Sequence, residues 1–481
     1  MEEVTSELDL IKSGLVPSNL AQDYSDQVDL AQMDLESLWH PLVQHQALAG
    51  KPPKCMTKGV GCYVTDEQGK EYLDGISSLW CVNIGYGRQE LAEVAYQQTL
   101  ELAYFPLTMS HPPAIRLAHK LLELLGFEGK VFFSNSGSEA NEVAFKIARQ
   151  YHAQASPTST GPRYKIISRY RGYHGNTMGA LSATAVAERK LSYEPLAPGF
   201  IHIQPPYCYR CPFGKTYGAC NIECATTLES TIQYEGAQSV AAVIVEPIVA
   251  GGGLIVPPDE YLPLVRAICD RYGVLLIFDE VVNGFGRTGK MFGHEHWGVQ
   301  PDLITLAKGI TSGYMPLSAT AVKQPIFEAF LDQPGSTSHF RHVNTYGGHP
   351  VATAVAERNI EILVAEQLTA QAAKTGNYLL NELKTCLDHP WIGDIRGKGL
   401  FIGLELVSDR QTKAPLAEGQ VAAVISHCLT NGVIVGRNTN TVPGFSNVLI
   451  LAPPLILTFD QADQLVSVLK GALEATYKSS S

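Results

Sequence analysis

Between Lys130 and Leu306 the chain repeats one pattern: a short apolar run, a glycine or polar break, then a stretch with helical periodicity. The runs are Lys130–Ser134, Tyr164–Ser168, Ala241–Val245, Val274–Phe278 and Leu303–Leu306, and helical patterns such as Ser138–Gln150 and Asp259–Arg271 lie between them. Apolar runs this short, without polar alternation, predict strands covered on both faces, and strands separated by helices pair in parallel. The expected fold class is therefore α/β, with a mostly parallel central sheet and helices on both faces. In such a sheet the ligand lies beyond the carboxyl ends of the strands. The residues that follow each run are where chemistry is expected.

The flanking regions read differently. After about Tyr346 come helical patterns at Val351–Ala373 and Gln420–Asn431, with short strands at Phe401–Leu406 and Val448–Leu451, which predict a smaller α+β domain. Residues before about Gly85 contribute to it: a helix over Leu30–His45 that Pro41 kinks or ends, and two strands within Gly61–Asp74 around a turn at Asp66–Lys70. Up to about Asp29 the chain reads as a polar arm. At ~150 residues per domain, 481 residues give two or three domains. The expected division is 1–85 (N-terminal arm and first part of the small domain), 86–345 (large α/β domain, with a cysteine-rich insertion at 206–224) and 346–481 (C-terminal small domain).

Charge and hydropathy remove several classes of function. With 36 Lys and Arg against 47 Asp and Glu, the net charge is −11, the wrong sign for neutralising a phosphate backbone. No apolar run approaches the ~18 residues of a membrane span, since Glu246, Pro247 and three glycines interrupt Val240–Val256. The acidic start does not read as a secretory leader. Cytoplasmic residence is expected, where the ten cysteines are thiols or ligands before they are disulfides.

The strand ends carry four groups of interest. The first run leads into Ser134-Asn-Ser136-Gly137-Ser138, where a tight turn opens a helix. Its free N–H groups either bind an anion or are capped by Ser136 or Ser138. After the second run, Arg171-Gly-Tyr173-His174-Gly sets an aromatic between glycines, suited to covering a flat ring or to packing in a turn. The fourth run ends on Asp279, a carboxylate that must be paired, protonated or at the rim. The fifth ends on Lys308, 29 residues later, as a crossover between neighbouring parallel strands permits. Those two residues alone suit a salt bridge. A phosphate cradle, a ring-covering aromatic, a rim acid and a rim amine together are what pyridoxal 5′-phosphate requires.

SNSGSEANEVAFKIAR, GYHGNT, VEPIVAGGG, FDEVVNGFGRTGKMFG, PDLITLAKGITSGYMP and NTYGGHP occur in that order. On them the chain resembles the class III aminotransferases of the fold-type I pyridoxal-phosphate enzymes, over essentially its whole length. The resemblance implies that Lys308 condenses with the cofactor aldehyde, Asp279 pairs with the pyridine nitrogen, Tyr173 stacks on the ring and Val281 packs its other face. Gly137 and Ser138 hold the phosphate, with Ser136, His174 and Glu246 completing the cofactor's surroundings. Thr345 resembles the threonine that reaches the phosphate of the neighbouring subunit, implying a homodimer in which His339, His342 and His349 are contact residues.

The substrate reading is carried by two segments. Ser78-Leu79-Trp80 resembles the entry segment of the ω-amine and ω-amino acid:pyruvate subgroup, implying that Leu79 and Trp80 line the pocket near Phe105 and Tyr173; Trp80 also fits an ordinary core. In that subgroup an arginine near Arg437 binds the keto acid's carboxylate. Here an extra glycine precedes Arg437 and the next loop is longer, as in taurine–pyruvate aminotransferases. That implies a small ω-amino acid donor such as taurine or β-alanine, with pyruvate as acceptor. A 4-aminobutyrate- or amine-type enzyme with another keto acid, or an aminomutase or racemase of the same fold, uses the same Lys308 and Asp279. Finally, Cys208, Cys211, Cys220 and Cys224 have zinc-like spacing, against a reading as unpaired thiols, and Glu246 sits at a strand end where pairing with an arginine is one open role.

Overall fold

The structure, a computed structural model, describes residues 29–50, 52–155, 163–438 and 441–480. The polar arm expected before Asp29 lies outside the described residues. By compactness the chain separates into two units, one ending at Lys58 and including Thr65–Lys70, the other comprising Gly59–Val64 and everything from Glu71 on.

The first unit holds the helix Leu30–Ser37, whose N-terminus is capped by Asp29 Oδ1 accepting from Ala31 N and Gln32 N at 3.1 Å. The helix expected to reach His45 stops at Ser37, because Leu38 turns to an extended conformation three residues ahead of Pro41; only a short 3₁₀ turn, His45–Leu48, follows. None of its residues is buried, so no packing holds a longer helix together.

Strands β1 (Met56–Val60), β2 (Tyr63–Asp66) and β3 (Glu71–Asp74) open the next part of the chain. The large sheet follows, from β4 (Gly129–Ser134), β5 (Lys165–Arg169), β6 (Phe200–Ile203), β7 (Val240–Val245), β8 (Leu275–Asp279), β9 (Leu303–Leu306) and β10 (Ser318–Lys323), in the order β4-β10-β9-β8-β7-β5-β6. The pairs among β9, β8, β7, β5 and β6 are parallel; β10 is antiparallel to both its neighbours. Every residue of β7, β8 and β9 is buried, which is why these runs carry no polar alternation. The helix Gly137–Ala155 crosses β10 and β9 on one face, burying Val143, Ala144, Ile147 and Ala148.

A further sheet is built from β11 (Ile392–Gly397), β12 (Ile402–Asp409), β15 (Gly436–Arg437) and β16 (Val448–Leu451), with β13 (Ala414–Pro415) at the end of β12. The intervening β14 (Val433–Ile434) leaves it and pairs in parallel with β3, joining the C-terminal segment to the early strands. The single helix expected over Val351–Ala373 is two, Pro350–Ala365 and Leu368–Lys384. Between them Gln367 is left-handed (φ 52°) and Glu366 is drawn to Arg88 in a bidentate pair at 2.7 and 2.8 Å. Among the described residues no helix is long and apolar enough to cross a membrane.

Candidate active site

The carboxyl ends of β4, β5, β7, β8 and β9 converge on one cavity of about 160 Å³. Gly137, Ser138, Tyr173, His174, Glu246, Asp279, Val281, Lys308 and Trp80 line it, together with Asn141. The sequence had scattered these residues over more than 200 positions; the strand order brings them together.

Asp279 ends β8 and is 3 % exposed. Its Oδ2 accepts from His174 Nδ1 at 2.8 Å and Asn141 Nδ2 at 2.9 Å, and its Oδ1 from Val281 N at 3.1 Å. Asn141 also donates to His174 O at 2.7 Å and accepts from Thr305 Oγ1 at 2.8 Å. The carboxylate is thus fixed from three sides, with no lysine or arginine among its hydrogen-bond partners. His174 lines the cavity beside this carboxylate. Asn141 was missed by sequence reasoning, although it falls one turn into the helix that Gly137 opens, on the face the cradle shares.

Lys308 follows β9 at the head of a 3₁₀ turn, Lys308–Ile310, with φ 48°, a strained conformation for a residue with a side chain. Its Nζ lies 5.6 Å from the centre of the Trp80 ring. Burial pulls its pKa below the ordinary lysine value; Asp279, Cys81 and Glu246 oppose that pull without cancelling it. Asp279 and Lys308 are not a salt bridge among the described residues.

At the cradle, the cap and the free N–H groups fall on different residues. Ser136 is the cap: its Oγ accepts from Glu139 N at 3.3 Å while Glu139 Oε2 accepts from Ser136 N at 3.3 Å and Asn135 N at 2.7 Å. Ser136 does not line the cavity. The N–H groups of Gly137 and Ser138 have no acceptor among the described residues, and both residues line the cavity. The Ser138 hydroxyl exchanges hydrogen bonds with Asn176 at 3.1 Å. A Cβ at Gly137 would stand 3.0 Å from both methyls of Val281, so a glycine keeps this approach open.

Glu246 follows β7 and is buried, and burial raises its pKa. Among the described residues its carboxylate pairs with no arginine. Its Oε1 accepts from Tyr173 N at 3.2 Å and its Oε2 from Ala250 N at 2.9 Å, whereas Arg169 reaches only its backbone carbonyl. Glu246 therefore positions the Tyr173 loop.

Besides Ser136, four expected residues lie outside the cavity lining. Leu79 is 73 % exposed and Arg437 is exposed on β15. Phe105 and Thr345 are exposed, and the Thr345 carbonyl accepts from Tyr104 Oη at 2.7 Å. The four cysteines of the insertion are free thiols, and among the described residues no group of three or more His, Cys, Asp or Glu is arranged to hold a metal ion.

The fittings present match pyridoxal 5′-phosphate: two unpaired N–H donors at a helix start for an anion, a buried carboxylate for a protonated ring nitrogen, and an amine with a lowered pKa. Comparison with known proteins agrees. The family model for class III aminotransferases matches residues 46–473. An uncharacterized aminotransferase, YhxA of Bacillus subtilis, is 52 % identical over 92 % of this chain and 96 % of its own. A taurine–pyruvate aminotransferase of Bilophila wadsworthia is 42 % identical, with the same coverage. Among solved structures, the ω-transaminase of Pseudomonas jessenii in complex with PMP superposes with a TM-score of 0.88 at 35 % identity, covering 94 % of this chain and 99 % of that one. This chain belongs to the class III aminotransferases, enzymes that work with pyridoxal 5′-phosphate.

Proposed function

We propose that the enzyme moves an amino group from a small ω-amino acid or amine, of the taurine or β-alanine type, to pyruvate, releasing an aldehyde or semialdehyde and alanine. The observation that carries this reading is the 42 % identity, over 92 % of this chain, to an enzyme named for taurine and pyruvate, with the Trp80 ring 5.6 Å from Lys308 Nζ as the wall the donor would meet.

When bound, pyridoxal 5′-phosphate supplies an aldehyde that condenses with amines and a ring that accepts electron pairs. The chain's own residues do the rest. Gly137 N and Ser138 N hold the phosphate. Asp279 keeps the ring nitrogen protonated, and His174 Nδ1 and Asn141 Nδ2 orient that carboxylate. Tyr173 and Val281 bound the ring. Lys308 Nζ, with its pKa lowered by burial, is the base that would take the proton from the donor carbon and pass it to the cofactor's aldehyde carbon.

The enzyme works as a cytoplasmic homodimer. In support, Phe105, Leu107, Met109, Val343 and Tyr346 are exposed large hydrophobics around Thr345, more than a solitary surface ordinarily carries in one place. Phe105 and Thr345 then complete the partner's site, and Arg437 meets the acceptor's carboxylate from its exposed strand.

The test is a donor panel of taurine, β-alanine, 4-aminobutyrate and 1-phenylethylamine, scored for alanine formed from pyruvate. Taurine or β-alanine is expected to lead. No turnover with any of the four removes the donor assignment and leaves the cofactor standing.

A further inference from the structure

A second cavity, of about 360 Å³, is lined by Tyr170, Arg171, Tyr207, Arg210 and Thr441. The turn Gly251–Gly253 connects the walls of the two cavities: Gly251 lines the first, while the Gly252 carbonyl accepts at 3.3 Å from Nη1 of Arg171, which lines the second. The second cavity draws on three segments: the loop that carries Tyr173, the cysteine-rich insertion, and the stretch following Arg437.

Its charge does not balance. Arg171 (φ 67°) sits between the ring faces of Tyr207 at 5.2 Å and Phe445 at 5.8 Å, and its Nη1 also donates to Thr441 Oγ1 at 3.2 Å. Among the described residues it has no ion-pair partner. The acid nearby, Glu405, is already engaged by Tyr207 Oη, by Arg210 Nε, and by Arg396 Nη1 at 2.8 Å; Asp394 takes Arg396 at 2.7 Å. Three guanidiniums thus share two carboxylates, and Arg210 Nη2 is buried without a hydrogen-bond partner. Burial lowers the Arg171 pKa, in keeping with a cation that lacks a counter-charge. Aromatic faces offset part of the lost hydration, but a guanidinium fork satisfies itself best against a planar or tetrahedral oxyanion.

We propose that this cavity is a second anion site, in which Arg171 and Arg210 take a small oxyanion with the Thr441 hydroxyl as a further donor. The oxyanion is either a free anion such as inorganic phosphate or the acid group of a substrate, and binding of the first kind is independent of the donor assigned above.

Isothermal titration of the holoenzyme, kept in excess pyridoxal phosphate so that the cofactor cradle is filled, tests this with inorganic phosphate and with methanesulfonate as probes. Saturable binding with a dissociation constant of about 1 mM or tighter is expected for at least one probe. Arg171→Gln and Arg210→Gln should each weaken it by about ten-fold or more, while Arg171→Lys, which keeps the charge but loses the fork, should weaken it less than Arg171→Gln does. Cofactor absorbance and the thermal midpoint report that the variants are folded. If methanesulfonate competes with the amino donor, and Arg171→Gln raises KM with kcat kept, the oxyanion is the substrate's own. If phosphate binds without changing KM, it is a separate ligand. No saturable heat in the wild-type protein, or equal binding in wild type and both glutamine variants, overturns the proposal.

Discussion

Asn141 is the residue whose removal tests the site's construction most directly. It makes three buried hydrogen bonds: to Asp279 Oδ2 at 2.9 Å, to the His174 carbonyl at 2.7 Å, and from Thr305 Oγ1 at 2.8 Å. A bond to a charged acceptor contributes about 1.5–3 kcal/mol and each neutral one about 1, so Asn141→Ala should cost roughly 3–5 kcal/mol if nothing rearranges. Thr305 is fully buried and loses its acceptor. Thr305→Val in the Asn141→Ala background should then cost less than it does alone, giving a coupling of about 1 kcal/mol. The assay is urea denaturation of the holoenzyme for both single variants and the double. Asp279 keeps His174 Nδ1 and Val281 N in the alanine variant, so the rate should fall by about ten-fold only, far less than for Asp279→Ala. Additivity within about 0.3–0.5 kcal/mol, or a single-variant cost below about 1 kcal/mol, would refute the network as described.

Other consequences follow from individual residues. Asp279→Ala should lose most of the transamination rate with circular dichroism unchanged, and near-normal turnover would contradict its pairing role. Gly137→Ala pushes a methyl to 3.0 Å from Val281 and should lower cofactor retention, read from absorbance after dialysis; Val281→Ala in that background should restore it, and failure to do so would mean another cause. Borohydride reduction of the holoenzyme should fix the cofactor at Lys308, and labelling elsewhere in the digested protein would displace that residue from its role. His152 is buried with Nε2 2.9 Å from the Ala241 carbonyl, and burial pulls its pKa down to about 4 from 6.5. Below pH 6.5 the unfolded chain takes up a proton that the folded one refuses, so stability falls as pH drops towards about 4. His152→Gln should recover up to about 3 kcal/mol across that window, and parallel pH–stability curves for the two proteins would count against it.

The central strands were legible because they are buried on both faces, which leaves unbroken apolar runs such as Val240–Val245. What the sequence concealed has specific causes. β10 reads Ser-Ala-Thr-Ala-Val-Lys, small residues with no long apolar run, yet all but Lys323 are buried because the helix from Gly137 and the neighbouring strands supply the bulk. β6 is an edge strand with three half-buried positions, a weaker pattern. The break at Gln367 has no glycine or proline to announce it, and lies beside the pairing of Glu366 with Arg88, 278 residues away.

The site divides along the same line. Asp279 and Lys308 stand out in sequence because a charged residue closing a buried strand demands an explanation. Asn141 and Glu246 act through partners supplied by other strands, so their chemistry exists only once the sheet is assembled. Asn141 links Thr305 of β9 to the carboxylate ending β8, and Glu246 beyond β7 holds the loop after β5. These cross-strand ties keep the acid and the Tyr173 loop in place against one another while Lys308, on a strained turn and without a hydrogen bond to Asp279, stays free to move its proton. Rigidity around a mobile amine is what the proposed chemistry needs. It accounts for a buried asparagine and a buried glutamate that stability alone does not call for, since replacing a satisfied polar network by apolar side chains of similar shape is often neutral.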